Sequence, residues 1–427
     1  LREADVKDYF RNMSFTSRER RELAIVAGCT AVTFAGDFMA DTSLVLTLQD
    51  NGAAGYAVAA LLIAGVAPAV LLAPVAGRLV DRFRTRTLLV TVGAIQALLC
   101  VALAYVRQPA LIIALMALVA GGLAITGPAV GAIVPRAIHR DRIPQAQAAV
   151  QTVRGLGILA GPALAGILVG RFGQTIPLLI DAASFLAVIA AGLLLRTAHG
   201  GGPLRPDADT GRVRGGLSLV RADKLLTIAL VLIAVGITAV TCDNVGEVYL
   251  VRETLHGSSS AYGLLSALWS AAAIAGGWLL GRRAPGDRGV VRLLLVLLGV
   301  FGLVMLGLAT APTVPWLIPV YLVGGLANGG LNLAIGVLLG RRVRPDERGR
   351  VGATFNAFIN SGTLIGYAVG GGLLSVVSPR ILFTGSGLLS LAVIGALAVP
   401  VLRGLRRAPE TSTADEPVPA ASVPAVS

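Results

Sequence analysis

Twelve stretches of roughly twenty or more mostly apolar residues, separated by short polar segments, leave this chain little choice of fold. No water is present in a bilayer core to satisfy backbone N–H and C=O groups, so a spanning segment must close its own hydrogen bonds as a helix or join a closed barrel. Runs of this length fit the helix, because about 20 residues at about 1.5 Å each cover a hydrocarbon core of roughly 30 Å. They fall near residues 23–48, 54–76, 87–106, 109–134, 146–170, 175–195, 225–250, 261–281, 290–310, 315–340, 350–376 and 380–402. With 55% hydrophobic and only 14% charged residues, the chain is too apolar for a soluble domain of its length. The expected class is an all-α integral membrane protein with twelve transmembrane helices.

The helices repeat. Gly157, Gly161 and Gly166 return 205 positions later as Gly362, Gly366 and Gly371, and the basic stretch Pro135 to Arg142 falls on Gly340 to Glu347. A period this long exceeds the roughly 50 residues of solenoid modules. It is the size of a six-helix half of a secondary transporter, whose substrate site lies between the repeats. Small residues at such spacing let helix backbones approach closely in lipid, and Pro162 removes a backbone donor in mid-helix and should bend it. The expected organisation is an N-terminal segment over 1–22, a first half over 23–195, a linker rich in Gly, Pro, Arg and Asp over 196–224, a second half over 225–402 and a disordered tail over 403–427.

The net charge of +13 does not form one basic face. The arginines sit in short loops between apolar runs, which argues against nucleic acid as a partner. Nearly all of the 36 Lys and Arg lie in the N-terminal segment, the even-numbered loops and the tail. Arg107, Arg171, Arg252 and Arg380 lie on the other side, and Arg154 lies inside a span. By the positive-inside rule both termini are cytoplasmic, in a multi-pass protein of the cell membrane. Nothing in residues 1–22 resembles a cleaved signal. Cys29, Cys100 and Cys242 are odd in number, lie in apolar runs and share no metal-ligand spacing, so no metal is expected. No HExxH, GxSxG or GxxxxGK[ST] occurs. Neither enzyme chemistry, nor a cofactor, nor ATP bound by this chain is expected.

Between the second and third runs stands Gly77-Arg78-Leu79-Val80-Asp81-Arg82-Phe83-Arg84-Thr85-Arg86. Glycine followed four residues later by Asp-Arg and further arginines resembles the signature loop of the major facilitator superfamily, which implies two pseudo-symmetric six-helix halves. The resemblance implies that Gly77 permits close helix packing and that Asp81, with Arg82 and Arg86 nearby, faces the start of the eleventh helix near Arg350 to Gly352. Arg84 replaces a glycine usual at that place in the family. Gly157, Gly161, Pro162 and Gly166 resemble the fifth-helix motif of the superfamily's drug:proton antiporters, with Ala148 in place of an upstream glycine. That motif points to export; an ordinary packing face is the plainer reading. Ala35-Gly36-Asp37, Pro128 to Pro135, Asp181 to Phe185 and Asn328 to Asn332 look like the bacterial efflux branch that contains the enterobactin exporter. The resemblance implies a small-molecule substrate, protons and membrane lipid as partners, and a monomer.

Ionisable groups inside lipid are costly and are functional candidates. Asp37 and Asp41 lie four apart on the first helix, and a shift of 206 places Asp243 and Glu247 at the matching positions of the seventh. Counting about 1.5 Å per residue puts Asp37 inside the bilayer and the others progressively nearer its outer edge. A desolvated carboxylate holds a proton more readily, which makes Asp37 the first candidate for proton coupling and Asp243 the second; hydration or capping at the interface is the alternative. Arg154 needs a partner, either a carboxylate or carbonyls of the fifth helix, or is structural. Asp181 reads as a helix-start residue. Asn328 and Asn332 share a face of the tenth helix, directed to a cavity lined by the first, fourth, seventh and tenth helices or engaged in interhelical hydrogen bonds. The function expected is export of a small amphipathic or drug-like molecule in exchange for protons. An importer or facilitator of the same fold remains open, as does a non-transporting membrane enzyme or scaffold.

Overall fold

The computed structural model describes residues 16–52, 54–139, 142–195, 209–282, 286–344 and 347–407. The expected N-terminal segment up to residue 15, the first part of the linker over 196–208 and the tail from residue 408 lie outside them. Among the described residues there is no strand, and eleven helices are long and apolar enough to cross a membrane. These are α1 (Ser17–Asp50), α3 (Thr85–Tyr105), α4 (Pro109–Gly131), α5 (Ile143–Phe172), α6 (Thr175–Leu194), α7 (Lys224–Tyr249), α8 (Ser259–Gly281), α9 (Asp287–Ala309), α10 (Val314–Arg342), α11 (Arg348–Leu374) and α12 (Pro379–Arg407). The remaining run, expected over 54–76, is interrupted. Its first part, α2 (Gly55–Leu71), has 17 residues and gives way at Leu72 to a second helical stretch, Ala73–Arg82. Pro68 and Pro74 explain the break, since neither can donate to the carbonyl four residues earlier.

Outward-facing side chains such as Leu98, Leu118, Leu186, Val296 and Leu303 are exposed and apolar, as a lipid-facing surface requires. The termini of the helical array share one side, here the terminal side; the opposite side is the far side.

Helix pairing repeats across the two halves. In the first, α1 packs on α5 and α6, α3 on α4 and α6, and α2 on α4; in the second, α7 packs on α11 and α12, α9 on α10 and α12, and α8 on α10. Adding six to each helix number of the first set gives the second. The halves meet along two seams related by the same rule, α5 with α8 and α11 with α2.

The glycine repeat builds both contacts. A Cβ on Gly157 would stand 2.7 Å from the Ala31 carbonyl oxygen, and one on Gly161 would stand 2.8 Å from that of Ala35, so these two glycines seat α5 on α1. Gly362 and Gly366 do the same for α11 on α7, against Ala234, Ile237, Thr238 and Thr241. The third glycine turns to the other half. A Cβ on Gly166 would stand 2.5 Å from the Ser259 carbonyl oxygen of α8, and one on Gly371 would meet Ala59 and the Gly55 carbonyl of α2. The packing face expected from the sequence is thus two faces: one within each half and one between them.

Both seams lie towards the far side, at the start of α2 and α8 and the end of α5 and α11. A polar clasp adds to them. Arg252, in the π-helical turn Leu250–Thr254 that ends α7, donates to Asp50 Oδ1 at 2.5 Å, to Gln49 Oε1 at 3.3 Å and to the Gly257 carbonyl at 3.0 Å. Gln49 in turn donates to Glu253 Oε1 at 3.2 Å. The ends of α1 and α7 are thereby tied across the halves.

On the terminal side the described ties run within halves. Glu19 closes a capping box with Thr16 at the start of α1 and accepts from the His139 amide at 3.0 Å and from Arg142 at 2.7 Å. At the matching start of α7, Asp223 caps the helix by accepting from Leu225 N at 2.8 Å, and it also accepts from Arg342 Nε at 2.7 Å. Arg342 donates in addition to Asp287 Oδ2 at 3.0 Å. The linker helix, Asp209–Ala222, lies on the start of α11, with Gly216 against the backbone of Arg350.

Candidate functional site

A cavity of about 390 Å³ lies between the halves. Its lining comes from α1 (Phe38, Asp41), α2 (Leu62), α5 (Pro162), α7 (Asp243, Asn244, Glu247), α8, α9, α10 (Tyr321, Asn328), α11 (Tyr367) and α12. A second cavity, of about 610 Å³, shares Phe38 and Asp41 with it and runs along α1, α4 and α5 past Asp37 and Arg154 to Val26, Val134 and Gln147. Those last residues stand near the terminal-side ends of their helices. The two cavities meet at Phe38 and Asp41, the second reaching towards the terminal side, while the seams lie towards the far side.

The four carboxylates read from the sequence converge on these cavities. Asp41, Asp243 and Glu247 line the central cavity. Asp37 lines the terminal-side one, and its Oδ1 is buried without a hydrogen-bond partner. Counting along the helix axis puts Asp243 and Glu247 near the outer boundary, but lateral position decides their surroundings. Asp243 is 2% exposed, and neither of its oxygens has a partner of normal hydrogen-bond geometry, although the Ser386 hydroxyl of α12 is close by. Glu247 Oε1 accepts from the Tyr321 hydroxyl at 2.5 Å. Arg154 resolves differently from either partner expected for it: its guanidinium lies 4.4 Å from the centre of the Phe34 ring, a cation–π contact with α1.

Several expectations need correction. Asp181 is no helix-start residue. It lies in the second turn of α6, 1% exposed, accepts from Ser184 at 3.1 Å and from the Cys100 thiol of α3 at 3.3 Å, and presses against Gly36 of α1. A Cβ at position 36 would collide with it, so a glycine at that place admits a carboxylate beside Asp37. The fourth helix lines the terminal-side cavity through Leu123 and Thr126 and does not reach the central one, which draws on nine other helices. Asn332 is exposed and donates to Asn328 Oδ1 at 2.7 Å and to its carbonyl at 3.0 Å. That bond lies within α10, so it is not interhelical, and only Asn328 reaches the cavity.

Gly77 has open space where a Cβ would stand, and so does Gly352 at the start of α11. The close packing implied for Gly77 is absent in this conformation, in which the stretch Ala73–Arg82 packs on α4. Arg82 and Arg86 are exposed, and the side chain of Asp81 lies outside the described residues. Pro162 lines the central cavity, and its carbonyl abuts Gly263 of α8.

Residues the sequence reading missed complete the cavity. Tyr262, Ser266 and Ser270 stand at four-residue intervals on α8 with Trp269 beside them, and Tyr321 and Tyr367 face them from α10 and α11. A polar residue every fourth position in an otherwise apolar run is the signal that could have marked α8. The chain has three tryptophans and seven tyrosines, so one Trp and three Tyr around one cavity is a concentration.

The sequence profile of the Major Facilitator Superfamily matches residues 26–320 and 245–426. Among solved structures, an auto-inhibited peptide transporter of the POT family aligns with a TM-score of 0.73 at 14% identity, over 93% of this chain and 99% of that one. A point mutant of the nucleoside transporter NupG aligns at 0.72 and 14% identity, over 90% and 99%. A bacterial homolog of the human lysosomal transporter Spinster, in an inward-facing and unoccupied conformation, aligns at 0.69 and 12%, over 92% and 98%. At these identities the likeness is one of fold. No curated protein matches the sequence.

Proposed function

Because the chain belongs to the major facilitator superfamily, we propose that it is a secondary active transporter that exports a small amphipathic or drug-like molecule in exchange for protons. The observation that carries this reading is a pair of adjoining cavities, one between two equivalent halves and one reaching towards the terminal side, lined together by four carboxylates within the membrane-spanning helices. With the basic loops and both termini in the cytoplasm of a cell-membrane protein, the terminal-side cavity faces inward and cargo enters it from the cytoplasm.

Alternating access follows from the contacts. The halves rock as units, the far-side seams part, and the terminal-side openings close. Coupling requires that proton and cargo favour opposite-facing states, since a ligand that binds both equally shifts neither. Asp37 suits the proton: it is set off the cargo cavity, its Oδ1 has no partner, and Asp181 of α6 reaches α1 beside it at Gly36. The plain packing role of the fifth-helix glycines accounts for both seams without reference to direction, so export rests on the resemblance of that motif to antiporters.

The neighbours of like fold carry nucleosides and peptides by name, and an importer or facilitator is the competing reading. A panel of toxic compounds applied to an efflux-deficient host, with and without the protein, identifies cargo. Proteoliposomes loaded with a pH dye then report whether that cargo moves protons in the opposite direction. Movement of cargo with protons in the same direction makes the protein an importer, and absence of solute movement under every imposed pH difference refutes transport.

A further inference from the structure

Asp41, Asp243 and Glu247 bring three carboxylates to the central cavity, and among the described residues no Lys, Arg or His lines it. A cluster of acids alone has many explanations, but Asp243 narrows them. It is 2% exposed, its side chain borders the cavity, and neither oxygen has a partner of normal hydrogen-bond geometry. A buried group so poorly supplied with donors must either hold a proton or meet positive charge brought by something that enters the cavity. The remaining lining argues about the shape of that ligand. Tyr262, Trp269, Tyr321 and Tyr367 surround the acids, with Trp269 and Tyr321 edge to face at 6.0 Å between ring centres. Electron-rich ring faces attract a cation and accept flat apolar groups.

Other cargo classes fit poorly. An anion would meet three carboxyl groups and no Lys, Arg or His among the described lining residues. A sugar or other polyol would find acceptors in the acids but fewer donors, since the Ser266 and Ser270 hydroxyls already donate to the Tyr262 and Ser266 carbonyls of their own helix at 3.1 and 3.0 Å. The cavity volume of about 390 Å³ lies within the range of small-molecule sites, about 300–1,000 Å³.

We propose that the central cavity is a binding site for a monovalent organic cation with an aromatic or bulky apolar body, its charged centre beside Asp243 and Glu247 and its body against Trp269 and Tyr262. Glu247 is oriented for this by the Tyr321 hydroxyl. The inference rests on the transport reading only in taking this cavity as the cargo site, and it leaves the proton to Asp37.

Tetraphenylphosphonium and the flatter cation ethidium serve as probes for the full-length protein in detergent, with tetraphenylborate as an anion of nearly the same shape. Saturable binding of at least one cation is expected, with tetraphenylborate failing to displace it. Asp243→Asn and Glu247→Gln should each raise Kd at least tenfold, and Trp269→Leu several-fold, with thermal melting kept near that of the parent. Both substitutions of the acids remove a charge at constant shape, so if one fails to fold the other still decides. Absence of saturable binding of both cations, equal displacement by tetraphenylborate, or an unchanged Kd in the acid variants overturns the proposal. Binding in detergent needs neither a membrane nor a proton gradient. Cation binding without proton-coupled flux would leave the site standing and remove the antiport reading; proton-coupled flux of a neutral or anionic cargo would do the reverse.

Discussion

Asp37 stands one helix turn from Asp41, and Asp181 of α6 reaches α1 at Gly36, so three acids gather on one part of the first half. Asp37→Asn keeps the shape and removes the titration. Proton-driven transport in vesicles is expected to fall at least tenfold while the melting temperature stays within a few degrees; unchanged transport would remove Asp37 from the mechanism. Asp37 and Asp41 were legible in the sequence because a charge in an apolar run is conspicuous. Asp181 is just as conspicuous, but one-dimensional counting put it near the helix start, and only the approach of Gly36 and Cys100 reveals that it faces inward. The cavity aromatics were hidden for a related reason: a tyrosine in a spanning helix reads the same whether it meets lipid, a headgroup or a ligand. The glycines offer a second test at this scale. Gly161→Leu drives a side chain into the backbone of α1 and should cost about 1–3 kcal/mol or more, read as a lower melting temperature. Gly166→Leu meets α8 of the other half instead, so it should loosen the far-side seam and leave the first half folded.

Among the elements, α1 and α7 are held differently at their two extremities. At the far side they are tied to each other by Arg252, Asp50, Gln49 and Glu253. The Asp50 side chain is 41% exposed, so the ion pair contributes about 1 kcal/mol or less. Arg252→Gln should therefore shift the balance towards the far-side-open state by up to about fivefold, measured as faster labelling of a cysteine placed at Ser260 by a membrane-impermeant reagent; an unchanged rate would show the clasp to be idle. At the terminal side each helix start is tied to its own half. Arg342 and Asp287 are nearly buried, at 7% and 8% side-chain exposure, and breaking a buried pair by removing one partner costs about 3–5 kcal/mol. Arg342→Gln should accordingly lower the stability of the whole protein sharply, seen as a large loss of melting temperature. The helices themselves were plain in the sequence because hydrophobic length under lipid admits one solution. The break at Leu72 was not, since a run of apolar residues hides a proline-induced interruption when only its hydropathy is read.

For the molecule as a whole, closure at one side and access at the other can be tested by a reversible crosslink. A Cβ on Gly170 would lie 3.7 Å from the Ser260 hydroxyl oxygen across the α5–α8 seam, so the two side-chain positions are direct neighbours and suit a crosslink trial. In a background without Cys29, Cys100 and Cys242, Gly170→Cys with Ser260→Cys should oxidise readily, stop transport and recover it on reduction. Transport that continues while crosslinked would mean that this seam never opens. The two-half plan was legible because Gly157, Gly161 and Gly166 have copies at one fixed offset. The division of labour among those glycines was not, because spacing says which residues share a face and not which neighbour the face meets. The pairing of the seams has a mechanical corollary. If each half moves as a unit, a tilt that lifts α8 from α5 must lift α11 from α2 by the same amount, since the two contacts are images of one another. Such a gate works like double doors on a common shaft: neither leaf swings alone, and the closing of one side is shared between two equal contacts instead of resting on any single bolt.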